Sequence, residues 1–297
     1  MHDLEGLLPT GADRRWVETS AGRLSVLHAG RPRGRTPVLL VHGGGGDAAA
    51  ISWYRLFDPL SADAEVWAPD LPGFGASLDV DPVGGPDALA GVLVEVMDAL
   101  GVRRAVVVGV SLGGDAALHL ALRDPDRVAG LVLVAPGGLR SGTGSRWVQR
   151  AAWLAAKLPD VLLLSLARTA GRFVEQALAV VVRDPHRLPP EVVQEFARIA
   201  RHPRGALGHL RYNQATLGWS GLRNDLAGQV PAIRAPTLFF HGDHDLVAPL
   251  SGSQRAVASM PGARLVVAPG SGHWAHLESH DLFLATVRGF LGEVAVH

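Results

Sequence analysis

The run Ala105-Val106-Val107-Val108-Gly109-Val110-Ser111-Leu112-Gly113-Gly114 decides how this chain is read. Ala105–Val110 is a dense apolar, β-branched stretch of the kind buried in a parallel sheet, and Gly113–Leu122 has helical spacing. Between them, Gly109-Val110-Ser111-Leu112-Gly113 spells G-x-S-x-G on a strand-to-helix turn. A serine at the apex of such a turn sits in strained backbone geometry. Side chains two positions either side of it would collide, so only small residues fit there. The helix that follows directs its N-terminal amides at the site, so the Leu112 N–H can stabilise a developing oxyanion. In a chain with 36 glycines the five residues alone also describe an ordinary Gly-rich turn. The strand before and the helix after are what distinguish a nucleophile turn.

Outward from this point the first half alternates strands and helices. Arg23–Ala29, Pro37–His42 and Glu65–Asp70 read as strands before it, and Val128–Ala135 as the strand after. Ser52–Leu60 is a short helix candidate. Asp87–Leu100 carries Leu89, Val92, Leu93, Val96 and Leu100 on one side, and Gly101 stops it. Repeated β-α-β units predict a parallel sheet with helices on both faces. From about Arg140 to Asp225 the rhythm breaks into apolar, Arg-rich helical stretches punctuated by Pro159, Pro185, Pro189-Pro190 and Pro203. It resumes with strands at Pro236–His241 and Arg264–Val267 and a helix at His280–Leu291. The expected organisation is an α/β core from residues 1–139 and 226–297, interrupted by a helical insertion at 140–225.

Composition narrows the function. The hydrophobic fraction of 47% suits a large buried core, and Lys+Arg and Asp+Glu both number 28, so no net charge points to nucleic acid. There are no cysteines, which removes disulfides, thiolate metal sites and cysteine nucleophiles. The opening, Met1–Trp16, is acidic and turn-forming rather than a signal peptide. The longest apolar runs, such as Val161–Leu164 and Ala177–Val182, fall far short of the ~20 residues of a membrane helix. A cytoplasmic protein acting on a small molecule, with no nucleic-acid or membrane partner, is the expectation. A homo-oligomer stays open.

Three other loops carry chemistry. His42-Gly43-Gly44-Gly45-Gly46 follows a strand, and a glycine run brings backbone N–H groups close to a substrate oxygen. The same run also reads as a flexible turn, and Gly43 to Ala48 can be spelled as a dinucleotide-binding G-x-G-x-x-A. A P-loop is excluded because no Gly-Lys-Ser/Thr follows. An oxyanion loop, with Gly44 N–H the best donor and Gly43 beside it, fits the position before the first long helix. His241-Gly242-Asp243-His244-Asp245 ends another apolar strand, where a carboxylate can accept the Nδ1–H of a histidine. Asp243 and Asp245 compete for that role, Asp243 also reading as a turn cap. A metal there is disfavoured, because no second ligand cluster completes a site. Gly272-His273-Trp274-Ala275-His276 follows the last strand, and His273 has His276 as its rival, the latter read as a surface residue of a helix's first turn. The order Ser…Asp…His favours His273.

With these motifs in this order, the sequence resembles the α/β-hydrolase superfamily over all of the chain except the insertion. The residues that carry the likeness are His42-Gly43-Gly44, Ala68-Pro69-Asp70-Leu71-Pro72-Gly73-Phe74-Gly75, Gly109–Gly113, Gly242–Pro249 and Gly272-His273-Trp274. The resemblance implies an eight-stranded, mostly parallel sheet, a helical cap over the site after the sixth strand, and no cofactor. It implies Ser111 as nucleophile, His273 as base and Asp245 as the orienting acid, since the family writes G-x-x-D with a proline four residues on, here Pro249. Within the superfamily the chain is similar to carbon–carbon bond hydrolases of ring-cleavage products, through His42–Gly45, Ala135-Pro136-Gly137-Gly138-Leu139 and His273-Trp274. It departs from them at Val110, where they place asparagine, and at Gly46, where their loop carries proline. Ester or lactone hydrolysis therefore leads, with the carbon–carbon reaction, a lyase or oxygenase, and a ligand receptor as alternatives.

The insertion holds 13 Lys+Arg against 6 Asp+Glu, so it is about +7 and the remainder of the neutral chain about −7. Either an anionic substrate is drawn under a basic lid, or the basic cap complements an acidic core. Its apolar runs Trp147–Leu158, Val161–Leu166 and Phe173–Val182 suit a greasy acyl or aryl group or the packing of the helices themselves. Trp274 either lines the pocket or packs beneath the cap.

Overall fold

The computed structural model describes residues 6–32 and 34–294. Eight strands form one sheet in the order β1-β2-β4-β3-β5-β6-β7-β8. They are β1 (Asp13–Thr19), β2 (Gly22–Ala29), β3 (Val38–Val41), β4 (Val66–Pro69), β5 (Ala105–Val110), β6 (Val128–Val134), β7 (Thr237–Gly242) and β8 (Arg264–Ala268). β2 runs antiparallel to both β1 and β4, and β3 to β8 are mutually parallel. The eight-stranded, mostly parallel sheet is as expected. β1 is the one strand that the residue pattern did not mark. It falls in the opening expected to be turn-forming, residues 1–5 of which lie outside the described residues. Its pattern of burial is mostly solvent-facing, with Val17 alone fully buried, so an edge strand leaves little periodic signal.

The helices are α1 (Ala49–Ser52), α2 (Phe57–Ser61), α3 (Pro86–Ala99), α4 (Leu112–Arg123), α5 (Arg146–Ala155), α6 (Asp160–Ala170), α7 (Val174–Val181), α8 (Pro190–Arg201), α9 (Leu207–Thr216), α10 (Leu250–Ser259), α11 (Ala275–Glu278) and α12 (His280–Val294). The single helix expected over Ser52–Leu60 is two short ones. α3 starts at a proline in its first turn and ends where Gly101 adopts φ +69°, with Val102 N–H donating back to Met97 O.

Side-chain alternation along the strands builds two cores. Val38 and Leu40 of β3 join one cluster with α1, α2 and α12; Leu39 and Val41 join the other with α3, α4 and α10. Helices thus cover both faces, and the strand ends where the loops gather are all of one polarity from β3 onward. Between β6 and β7 the chain makes α5 to α9, and no named strand forms there among the described residues. α8 is the seated part of this insertion: Val192, Phe196 and Ile199 enter the first core cluster, together with Leu178 and Val182 from α7 and its end.

Candidate active site

The site is assembled by the parallel register. Val110 pairs with Val134, Val134 with Phe240, and Gly242 with Ala268, so Ser111, the Asp245 loop and the His273 loop all emerge from the same carboxyl edge. Ser111 has φ 51° and ψ −114°, one of two non-glycine residues with positive φ among the described residues. Its N–H donates to Val134 O and its carbonyl accepts from Gly137 N–H, which hold the strained turn in place. A Cβ on Gly109 would stand 2.5 Å from Gly113 O, and one on Gly113 would stand 2.3 Å from Val41 O. Both glycines are obligatory for steric reasons, as the motif requires.

Asp245 and His273 are brought together. His273 Nδ1 is 2.7 Å from Asp245 Oδ2, and neither side chain is appreciably exposed. Asp245 Oδ2 also lies 3.1 Å from His241 Nε2, while Oδ1 accepts from the Val247 and Ala248 amides at 2.7 and 2.9 Å. Burial pushes the Asp245 carboxyl up, but the donors from His241, His273 and the Ala248 amide outweigh it and hold the group well below the usual carboxylate range. The acid therefore stays ionised. Among the described residues no hydrogen bond joins Ser111 Oγ to His273, the contact that chemistry would tighten. Asp243 stays in its turn instead: its Oδ1 pairs with His244 Nδ1 at 2.6 Å and accepts from Ser271 N–H at 3.3 Å. His276, expected at the surface, is buried between Trp53 and Phe283, with ring centroids at 5.2 and 5.8 Å. Burial, with the nearby charges of His273 and His280, pushes its pKa down to about 3. It is a core histidine because α11 turns inward to start the path into α12.

The glycine loop is only partly as expected. Gly43 N–H donates to Asp47 Oδ2 at 2.7 Å, so that amide is occupied and cannot serve a substrate. Asp47 also accepts from Ala48 N–H and Ser52 Oγ, and it braces the loop. The Gly44 and Leu112 amides have no protein acceptor among the described residues and remain available as donors. His42 explains the companion motif at Ala68–Gly75: its Nε2 accepts from Leu71 N–H at 3.0 Å while Nδ1–H donates to Gly43 O at 2.7 Å.

A cavity of about 460 Å³ opens beside Ser111. Its lining includes Leu112, the Pro136–Arg140 loop, His209 and Tyr212 of α9, Asn224 and Arg255. Trp274 is absent from it. That residue is 3% exposed and packs edge-on to Phe196 at 6.0 Å, with its backbone N–H donating to Val181 O, so it supports α7 and α8 from below. The apolar runs Trp147–Leu158, Val161–Leu166 and Phe173–Val182 do not line the cavity either.

Three features were not anticipated from sequence. His209 stands over the glycine loop: a Cβ on Gly44 would lie 2.4 Å from His209 Nδ1, a buried nitrogen with no hydrogen-bond partner. Burial lowers its pKa, so the ring is neutral. Asp115, one turn after Ser111, is fully buried and accepts from Tyr212 Oη and Asn224 Nδ2, each at 2.5 Å, which ties α4 to α9 and to the returning chain. His241 enters the sequence reading only as the end of an apolar strand, beside a metal site that the spacing disfavours. Its spacing of four before Asp245 was the one signal available.

The strand order, the strained Ser111 elbow and the Asp245–His273 pair together point one way, and a family comparison decides it. The alpha/beta hydrolase fold family matches residues 36–280. The chain belongs to this family. Among relatives of this hydrolase, a 2-hydroxy-6-oxo-6-phenylhexa-2,4-dienoate hydrolase of Burkholderia cepacia is 33% identical, over 86% of this chain and 87% of that protein. Of solved structures, a bacterial membrane phospholipase A superposes with a TM-score of 0.78 at 25% identity, covering 96% of this chain and 87% of the other. A thermophilic esterase from Thermogutta terrifontis superposes at 0.72 with 26% identity, covering 96% of this chain and all of the other. Among the described residues no helix is long and apolar enough to cross a membrane.

Proposed function

We propose that this hydrolase cleaves esters, lactones or related carbonyl compounds by acyl transfer through Ser111. The observation that carries the proposal is the 2.7 Å Asp245–His273 hydrogen bond at the sheet edge where the Ser111 elbow opens into a cavity. His273 takes the Ser111 proton as Oγ attacks the carbonyl carbon, and Asp245 stabilises the imidazolium that forms. The Leu112 and Gly44 amides hold the oxyanion. His273 then protonates the leaving group as its bond to the acyl carbon breaks. Water, deprotonated by the same histidine, hydrolyses the acyl-enzyme. Residues 140–225 act as the cap over this reaction, supplying α9 as one wall of the cavity.

One observation favours a second reading, carbon–carbon cleavage of a substrate that bears a carboxylate. Arg140 and Arg255 line the cavity and make no ion pair among the described residues; their hydrogen bonds go to the Val247 and Leu139 carbonyls at 3.4 Å. A substrate carboxylate would complete both, and the dienoate named for the Burkholderia cepacia relative carries one. Against it, the position before the nucleophile is Val110, which is fully buried and whose side chain has no hydrogen-bonding group. Kinetics on a p-nitrophenyl ester series and on that dienoate decide between the two. Ester turnover abolished by Ser111→Ala supports the first reading. Dienoate turnover with kcat/KM about a hundredfold above the best ester, roughly 2.7 kcal/mol of barrier, moves the assignment to the second. Absence of turnover on either contradicts both.

A further inference from the structure

The outer helices of the insertion leave their apolar side chains in solvent. Of fifteen exposed large apolar residues among those described, nine fall within 147–180. α6 has no buried residue, and α5 buries only Gln149. Trp147 and Leu154, seven apart, share one face of α5, and Leu162 and Leu166, four apart, share one face of α6, with Leu158 in the turn between. Trp147 is 65% and Val161 80% exposed. Neither core packing nor the cavity beside Ser111 accounts for them, and apolar surface gathered in this way marks a site of association.

The charges in the same stretch say what associates. Arg146, Arg150, Lys157, Arg168 and Arg172 make no ion pair among the described residues. Arg146 and Arg150 lie over the Trp147 ring at 5.2 and 5.5 Å, and Lys157 over Trp153 at 5.7 Å. The two acids from Arg146 to Val181 are Asp160 and Glu175, and Asp160 is held by Arg211 at 2.9 Å. Unpaired cations are thus interleaved with exposed Trp and Leu along consecutive short helices.

We propose that α5 to α7 dock on an anionic lipid surface. At such an interface the apolar side chains enter the acyl boundary while Arg and Lys extend to the headgroups, so one environment satisfies both. A second copy of this chain on a two-fold axis would instead set the cation cluster against itself. Because no described helix can span a bilayer, the association is peripheral. It refines the expectation of no membrane partner, which rested on the absence of a spanning helix. The proposal is independent of the reaction at Ser111.

Flotation of the full chain with vesicles of equal parts phosphatidylcholine and phosphatidylglycerol, against phosphatidylcholine alone, tests it. Wild-type protein is expected to float with the anionic vesicles and to be released by high salt. Leu162→Ser with Leu166→Ser, and separately Arg146→Glu with Lys157→Glu, are each expected to weaken binding about tenfold or more. Leu282→Ser, an exposed leucine of α12, should float as wild type. Unchanged thermal melting shows that the variants are folded. Failure of the wild type to float, equal flotation with neutral vesicles, or flotation untouched by both pairs of changes overturns the proposal. So does a concentration-dependent dimer that the leucine changes break without any flotation, which would give the face to a second copy.

Discussion

His241 Nε2 stands 3.1 Å from Asp245 Oδ2, the same oxygen that His273 Nδ1 reaches at 2.7 Å. His241 Nε2 is also 2.9 Å from the Ala248 carbonyl, an acceptor, so this nitrogen carries the proton and donates. Its Nδ1 meets Ser253 Oγ at 2.9 Å, which anchors the ring on α10. His241 touches no reacting atom. In the proposed mechanism it acts through the carboxylate, as a positioning residue.

Its removal is therefore expected to disturb the proton relay and spare binding. His241→Leu should lower kcat roughly ten- to a hundredfold with KM within about twofold, as expected for loss of one hydrogen bond to a charged group. His241→Gln, which can still present an N–H to Asp245, should recover most of the loss. Steady-state kinetics on any turned-over ester read this, and equal losses in both variants would contradict it.

Gly44 and His209 form a second testable pair. Gly44→Ala drives a methyl toward the buried His209 ring, displacing either the ring or the amide proposed to hold the oxyanion. A loss in kcat on the order of tenfold to a thousandfold is expected, the upper end being that of one lost oxyanion donor. His209→Ala makes space, so the double variant should be more active than Gly44→Ala alone. A double variant that simply multiplies the two losses would show that the residues do not couple.

The arginines of the cavity give a specificity test. Arg140→Ala with Arg255→Ala should raise KM at least about tenfold for a substrate bearing a carboxylate, the loss of a hydrogen-bonded charge contact, and leave a neutral ester of similar size nearly unchanged. Equal effects on both substrates would remove these residues from substrate recognition.

Acid stability should depend on His276. Its folded pKa of about 3 lies below the ordinary 6.5, so between those values the unfolded chain binds a proton that the folded chain refuses. Stability from this group is complete above pH 6.5 and declines as pH falls toward 3, by roughly 3–5 kcal/mol in all. His276→Leu should flatten the fall of denaturation midpoint between about pH 6 and pH 4. An unchanged slope would contradict this burial argument.

Most of the core was legible because period and punctuation agree there. β3, β5, β6 and β7 are apolar runs buried on both faces, and α3 carries a buried stripe closed by Gly101. The Ser111 elbow could be read because its glycines face steric limits that no other residue meets. β1 was missed because an edge strand alternates weakly, and His276 was misplaced because a polar residue in a four-residue helix offers no periodicity to assign its face. Gly43 reads as a free donor in the sequence because neither spelling of the glycine run assigns a role to Asp47, whose carboxylate occupies the Gly43 amide. Tyr212 reaches Asp115 across 97 residues of chain, and His209 reaches Gly44 from the insertion, tertiary contacts that no local pattern announces.

The central claim is that His273 activates Ser111, and covalent labelling measures it most directly. Intact mass after treatment with a fluorophosphonate should show one adduct per chain, located on Ser111, with labelling of His273→Ala slower by about a thousandfold or more. No adduct on Ser111 in folded wild-type protein, or labelling of His273→Ala at the wild-type rate, would contradict the account.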